Sequence, residues 1–380
     1  MNRRESLLAL SGLSIGLASR TVSAQAPAKT KAAPKPASAT ADLVWHDVTE
    51  FGLEGRLWAD RTRARYFDRF PAEAEAKIPK AVWGLSRDSA GMTARFDSDS
   101  PTVAVRYTLS KDRLAMPHMP ATGVSGVDLY ARDDKGAWRW VNVTMPESKT
   151  VESVLLSGVP ARGREFQLYL PLYNGVDKLE IGVVKNAKFE GHAPREKPIV
   201  FYGTSITHGA CASRPGMVHT AILARRLDRP VTNLGFSGNG RMDTGVGELL
   251  GLVDAAAFVI DCLPNMDAAL VTERTVPFVQ ALRKARPQTP IVLVEDRRNT
   301  NSWIFESRAN HHTANHAALK KAYDSLVGEG VSGLFYIPGD DLLGDDSEGA
   351  TDGSHPNDLG FYRQALAMEP TLKKALVSGK

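Results

Sequence analysis

The grammar of this chain changes at Lys197. From there to the carboxyl end, short apolar runs at residues 199–202, 231–234, 256–261, 291–295 and 334–337 alternate with helical patterns at 217–227, 245–252, 271–286, 310–327 and 358–377. Runs such as Ile199-Val200-Phe201-Tyr202 are apolar without alternation, so both of their faces need cover. Such runs belong to a parallel sheet held between two layers of helices. The expectation is a flavodoxin-like, three-layer α/β domain with a five-stranded parallel sheet over residues 197–380. In such a sheet the reactive groups gather at the carboxyl ends of the strands.

The first half obeys a different rule. Runs at 92–96, 102–108, 126–130, 138–143, 166–170 and 179–184 alternate with period two and are separated by turns. That spacing predicts an all-β sandwich, jelly-roll-like, over residues 41–190. A charged and aromatic stretch at 59–76 reads as a helix lying outside the sandwich core. Gly191, Pro194 and Pro198 interrupt both patterns and mark the boundary.

Charge is concentrated at the amino end. Arg3, Arg4, Arg20, Lys29, Lys31 and Lys35 stand against Glu5 alone in residues 1–40, which exceeds the whole-chain net charge of +4. The remainder is slightly acidic and carries no nucleic-acid footprint. Arg3-Arg4, an apolar stretch from Leu7 to Ala18 and Val22-Ser23-Ala24 read as a signal peptide over residues 1–24, with the twin-arginine route suggested by the paired arginines. Residues 25–40, rich in Ala, Pro and Lys, read as a flexible linker. The apolar stretch is too short for a comfortable membrane span. The chain is therefore expected to be periplasmic or secreted, without stable membrane insertion. Its two cysteines, Cys211 and Cys262, are too few for a structural zinc site, and their spacing leaves a disulfide undecided.

Chemistry concentrates in four segments. Gly203-Thr204-Ser205-Ile206 follows the first strand and places a serine on a strand-to-helix turn, and Gly238 lies in the segment after the second strand. Asn265 follows the third, and Asp352-Gly353-Ser354-His355 precedes the last helix. A serine hydroxyl becomes nucleophilic when a base takes its proton, and the base needs a third group to hold its tautomer. Ser205, His355 and Asp352 supply these roles. Attack on an ester carbonyl puts charge on oxygen, and the Ser205 N–H, the Gly238 N–H and the Asn265 side chain are the candidate oxyanion donors. No Gly-x-Ser-x-Gly pentapeptide occurs after residue 40, the one at residues 12–16 lying in the amino-terminal leader, which separates the chain from the α/β-hydrolases.

Other groups invite lesser readings. His208 lies close to Ser205 but has no acid neighbour in sequence. His312 and His316 share a helix face at a metal-binding spacing, yet without a general-base Glu between them they read as a solvated face. Asp340, Asp341, Asp345, Asp346 and Glu348 read as an acidic loop. Arg297 or Arg298, at the end of the fourth strand, is positioned to reach substrate. Tyr169, Tyr173, Asn174 and the Trp138/Trp140 pair could stack on a sugar, although alternating aromatics in strands more often fill a core.

The four segments together resemble the SGNH hydrolase superfamily, also called GDSL-type esterases. Thr204 stands where those proteins carry Asp, and Leu263-Pro264-Asn265 where many carry Gly-x-Asn-Asp. The first half is similar to the β-rich domain that precedes one bacterial branch, whose Gly-x-Asp-Leu-Tyr signature appears here as residues 126–130. The resemblance implies an exported serine ester hydrolase working through an acyl-enzyme, without metal or organic cofactor. Its implied partner is an acylated small molecule or an acetylated glycan, with carbohydrate O-acetyl esterase as the preferred activity. A short-chain carboxylesterase, thioesterase or lysophospholipase is the alternative enzyme. A carbohydrate-binding protein with an inactive hydrolase domain is the alternative from another class.

Overall fold

The computed structural model describes residues 42–378. The export signal and linker expected at residues 1–40 lie outside them.

The first half contains β1 (Leu43–Asp47), α1 (Lys80–Ser86), β2 (Thr93–Ser98), β3 (Val103–Leu109), α2 (Ala121–Val124), β4 (Asp128–Arg132), β5 (Trp138–Val143), β6 (Thr150–Leu156), β7 (Arg164–Tyr169), β8 (Val176–Val184) and β9 (Phe189–Gly191). These strands make two antiparallel sheets, ordered β1-β8-β3-β6 and β5-β4-β7-β2-β9. Val105 and Tyr107 of β3 share a core with Phe96 of β2, Leu129 of β4 and Phe166 of β7, which makes the pair a sandwich. β1, β6 and β9 were not among the expected strands. β6 is mostly partly exposed and β9 is a three-residue edge, so neither carries a strong apolar run.

The helix expected at residues 59–76 does not form. That stretch is mainly turns and ends in a 3-10 segment, Ala72–Ala76. Tertiary contacts override the local pattern here. The guanidinium of fully buried Arg69 donates to the carbonyls of Asn233 (3.1 Å), Gly235 (2.8 Å) and Leu85 (2.7 Å). Nearby Trp58, Phe70, Ala74, Ile78 and Val82 join the core of the second half. The segment is a strap across that half's helical layer.

The second half contains β10 (Ile199–Gly203), α3 (Ser205–His208), α4 (His219–Leu227), β11 (Val231–Gly235), α5 (Thr244–Leu250), β12 (Ala257–Asp261), α6 (Ala268–Ala285), β13 (Ile291–Val294), α7 (Glu306–Gly328), β14 (Leu334–Ile337) and α8 (Asp358–Ser378). All strand pairs are parallel and the order is β11-β10-β12-β13-β14, a flavodoxin-like sheet. Successive side chains of β10 enter different cores. Val200 and Tyr202 pack with α5, α6 and α7, whereas Ile199 and Phe201 pack with α4 and α8. This two-sided burial explains why the strand is apolar at every position.

The signature Gly-x-Asp-Leu-Tyr ties the halves together. Fully buried Asp128 accepts from Trp140 Nε1 (2.9 Å), Arg214 Nη1 (2.9 Å) and the Gly216 N–H (2.8 Å), and Tyr130 Oη accepts from Arg214 (2.6 Å). Burial pushes the Asp128 carboxyl upward, and Arg214 opposes that shift. Removing one member of such a buried pair strands the other. Asp128→Ala is expected to lower stability by about 3 kcal/mol in chemical denaturation, well beyond the ~1 kcal/mol of Trp140→Phe, which loses one donor. Equal, small losses would show that Asp128 does not hold the halves together.

Candidate active site

Sheet register brings three of the four sequence segments side by side. Gly203 at the end of β10 pairs with Gly235 of β11 on one side and with Asp261 of β12 on the other. Ser205, Gly238 and Asn265 each lie just beyond one of these three ends. The order of strands reverses between β10 and β12, which is where open α/β sheets form their crevice. Glycine is required at this edge. A Cβ on Gly203 would collide with Thr207 Oγ1, one on Gly235 with the His208 backbone nitrogen, and one on Gly240 with the Gly203 carbonyl.

Ser205 opens α3, a four-residue helix that ends at Gly209 in the left-handed region (φ 110°). The long helix expected from residue 217 begins at His219, and what directly follows the serine is a single turn rather than a helix with a full macrodipole. Thr204 takes over as cap, its hydroxyl accepting from the Ile206 N–H at 3.3 Å. The change from Asp therefore leaves the turn capped.

The serine, histidine and aspartate form a continuous chain. Ser205 Oγ lies 2.8 Å from His355 Nε2, and His355 Nδ1 lies 2.7 Å from Asp352 Oδ2. An ionised carboxylate only accepts, so Nδ1 carries the proton and Nε2 is left as the acceptor for the serine hydroxyl. Burial pushes the Asp352 carboxyl upward, but the backbone N–H and imidazole of His355, with the Ser354 N–H, outweigh it and hold the group down at about 2. Ser205 itself is 7% exposed.

The proposed oxyanion donors are oriented by their neighbours. Asn265 Oδ1 accepts the Gly240 N–H at 3.2 Å, which assigns the oxygen and leaves the NH2 as the free end. Gly238 adopts φ +70° with open space where a Cβ would stand. Neither the Ser205 nor the Gly238 N–H meets an acceptor among the described residues.

The first half reaches this site from behind. The Tyr173 hydroxyl donates to the Ser205 carbonyl at 3.3 Å, and its ring stacks on His208 at 4.0 Å. His208 Nε2 donates to the Leu172 carbonyl at 2.6 Å. His208 is fully buried, and desolvation pulls its pKa well below the ordinary range, so it is a neutral packing group. Of the other aromatics, Tyr169 is buried, and Asn174 is buried and bonded to Lys111 and Ser125. Trp140 is half-exposed while its indole N–H serves Asp128, and Trp138 carries the Arg132 guanidinium over its ring.

Two readings of the fourth-strand region change. His312 and His316 are buried rather than solvated. His312 Nδ1 lies 3.0 Å from Asp296 Oδ2, and His316 Nε2 donates to the Asp296 carbonyl at 2.6 Å. A helical spacing could not show that α7 turns this face onto the end of β13. Arg297 is buried as well, 3.5 Å from Asp261 Oδ1, beneath the site rather than in it. Arg298 pairs with Asp340 at 2.6 Å. Cys211 and Cys262 are both buried free thiols.

The sequence pointed neither to His118 nor to a place for Cys211 beside the relay. The exposed His118, in the loop after β3, has its ring centroid 6.2 Å from that of His355. Cys211 brings its sulfur within 4.8 Å of the Asp352 and His355 ligand atoms, the group that could share a cation among the described residues. A cation there would occupy the base. Burial raises the thiol to about 11, so it is protonated near neutrality. His118 is distant in sequence from every motif, and no local signal could place it.

Two family models match the chain, the GDSL-like Lipase/Acylhydrolase family at residues 196–373 and GxDLY, the N-terminus of an SGNH-hydrolase-type esterase, at residues 43–189. A crystal structure of a Bacteroides ovatus protein assigned to the GDSL-like lipases is similar at 35% identity and TM-score 0.82, covering 88% of this chain and 98% of that one. A salicylyl-acyltransferase from a tetracycline biosynthetic pathway is similar at 20% identity and TM-score 0.70, with 88% and 98% covered. An acetyl xylan esterase from the rumen bacterium Butyrivibrio proteoclasticus is similar at 12% identity and TM-score 0.52, with 88% and 100% covered. The last two likenesses concern the fold alone. A comparison with curated proteins finds no match.

Because the folded Asp352 carboxyl sits below its ordinary value, its stabilising contribution is complete above about pH 4 and is lost as pH falls through about 2. A fall in ester turnover between pH 4 and 7 therefore comes from another group. Asp352→Asn keeps an oxygen for the Ser354 and His355 N–H groups but presents an NH2 to Nδ1. It is expected to lower kcat/KM on the order of 10^3-fold while the chain still folds, with a modest fall in melting temperature from the lost carboxylate charge. Wild-type turnover in this variant would remove Asp352 from the relay.

Proposed function

The chain belongs to the GDSL-like lipase/acylhydrolase family and is an SGNH-type carboxylic ester hydrolase, and from that premise we propose that it removes O-acetyl groups from a carbohydrate outside the cytoplasm. The observation that carries the mechanism is the relay of 2.8 Å from Ser205 Oγ to His355 Nε2 and 2.7 Å from His355 Nδ1 to Asp352.

His355 takes the Ser205 proton as Oγ bonds to the acetyl carbonyl carbon. The resulting oxyanion rests on the Ser205 N–H, the Gly238 N–H and the Asn265 NH2. Collapse breaks the bond to the sugar oxygen, which leaves with the proton held by His355, and the acetyl group stays on Ser205. Water then gives a proton to His355 and attacks the acyl carbon, acetate departs, and the serine is restored. Each oxyanion donor is worth roughly 3 kcal/mol in the transition state.

Two lines support the sugar-ester substrate. The amino-terminal leader has the composition of an export signal. Carbohydrate esterases, including the acetyl xylan esterase named above, share the fold. The proposed domain division, at residues 41–190 and 197–380, assigns the chemistry to the second part and the bracing of α3 to the first.

Ser205→Ala is expected to lower kcat/KM on 4-nitrophenyl acetate by at least about 10^4-fold with unchanged folding. Retained activity would overturn the nucleophile assignment. Acetate release from acetylated xylan, together with poor use of 4-nitrophenyl octanoate, is the result expected of the wild type. A rate that rises toward octanoate would redirect the proposal to a lipid or aryl ester. Asn265→Ala is expected to reduce kcat about 10^2-fold to 10^3-fold with KM little changed. An effect confined to KM would make Asn265 a binding group instead.

A further inference from the structure

Beside the acid-bearing loop lies a groove of about 360 Å3 with Trp303 and Leu343 among its walls. We propose that this groove is an acceptor subsite, in which Trp303 stacks on a sugar ring of the chain that carries the scissile ester. The inference rests on the sugar-ester reading above and adds a location and a recognition mode to it.

The groove is continuous with the catalytic loop. The Thr300 N–H donates to the Gly353 carbonyl at 2.8 Å, and the Asn301 side chain lies against Gly353, where a Cβ would crowd it. Gly353 directly follows Asp352, so one wall of the groove touches the triad's own loop. The other wall is anchored by Arg363, which donates to the Leu343 carbonyl at 3.0 Å and grips both oxygens of Asp346 at 2.6 and 2.7 Å. Both walls are thus held before a ligand arrives.

The lining points to a polyhydroxylated ligand. Trp303 is 77% exposed, and its ring has no aromatic or cationic partner among the described residues. The neighbouring Phe305 ring differs, since Arg308 covers it at 4.9 Å. Around Trp303 the lining carries Asn299, Thr300, Asp345 and Ser347, and the exposed Ile304 follows Trp303 in the loop. The Ser302 hydroxyl is buried in the same lining without a partner among the described residues. A flat apolar ring beside side chains that donate and accept suits a sugar, whose ring presents C–H groups on its face and hydroxyls at its edge. A fatty acyl chain would leave these polar groups unpaired.

Trp303→Ala and Trp303→Phe test the assignment, because an exposed loop residue can be cut back without opening the core. In the alanine variant, kcat/KM on acetylated xylan is expected to fall about tenfold, with 4-nitrophenyl acetate unaffected and the phenylalanine variant largely restored. Xylohexaose titrated into Ser205→Ala by calorimetry is expected to bind, and to lose that binding when Trp303→Ala is added. Unchanged xylan kinetics, or equal losses on both substrates, would overturn the subsite. A loss confined to 4-nitrophenyl octanoate would overturn it in favour of an acyl-chain contact. If the wild type cleaves no ester, the sugar-ester reading fails, and xylohexaose binding to Ser205→Ala still decides the groove. If esters are cleaved but xylohexaose does not bind, the groove proposal fails alone.

Discussion

The close approach of backbone at the carboxyl edge of β10, β11 and β12 is the constraint on which the rest of the structure depends. Gly203, Gly235 and Gly240 leave no room for a side chain, because α3 and its flanking carbonyls fill that space. The Phe236 N–H donates to the Gly203 carbonyl at 2.9 Å, which stitches the second loop to the first. Thr207 Oγ1 donates to Asp261 Oδ2 at 3.1 Å and ties α3 to the third strand. A four-residue helix has little stability of its own. These contacts give α3 a fixed position, and Ser205 is fixed with it.

Seen from this edge, the β-sandwich is part of the machinery that holds the serine. Leu172 and Tyr173 press on His208 and the Ser205 carbonyl, and the Arg69 strap caps the carbonyls of Asn233 and Gly235. Asp128 clamps the loop that follows α3 through Arg214 and Gly216. Burying ionised groups such as Asp128 and Arg69 is costly, and burial pulls Arg69 down to about 10. Their return is positional, since each joins a side chain of the first half to backbone or side chains at the reactive edge of the second.

The parallel sheet was legible in the sequence because its strands are buried on both faces and read as unbroken apolar runs. The sandwich was legible in outline only. Strands such as β6, with exposed positions, and the short edge β9 carry weak alternation. The stretch at residues 59–76 misled because charge and aromatic spacing imitate a helix, while the conformation is dictated by Arg69 and by partners more than 160 residues away. Within the site, the proposed relay was readable because each member carries a local pattern of its own. His118 and Trp303 carry none. Both reach the rim from loops, and only the assembled fold shows that one lies near His355 and the other beside the Asp352 loop.

Ser205 is proposed as the single nucleophile, activated by His355. Labelling the protein with a fluorophosphonate and mapping the adduct by mass spectrometry reads this directly. One adduct per chain, located on Ser205 and suppressed by His355→Ala, is the expected outcome. Labelling at another residue, or full labelling of Ser205 without His355, would contradict it.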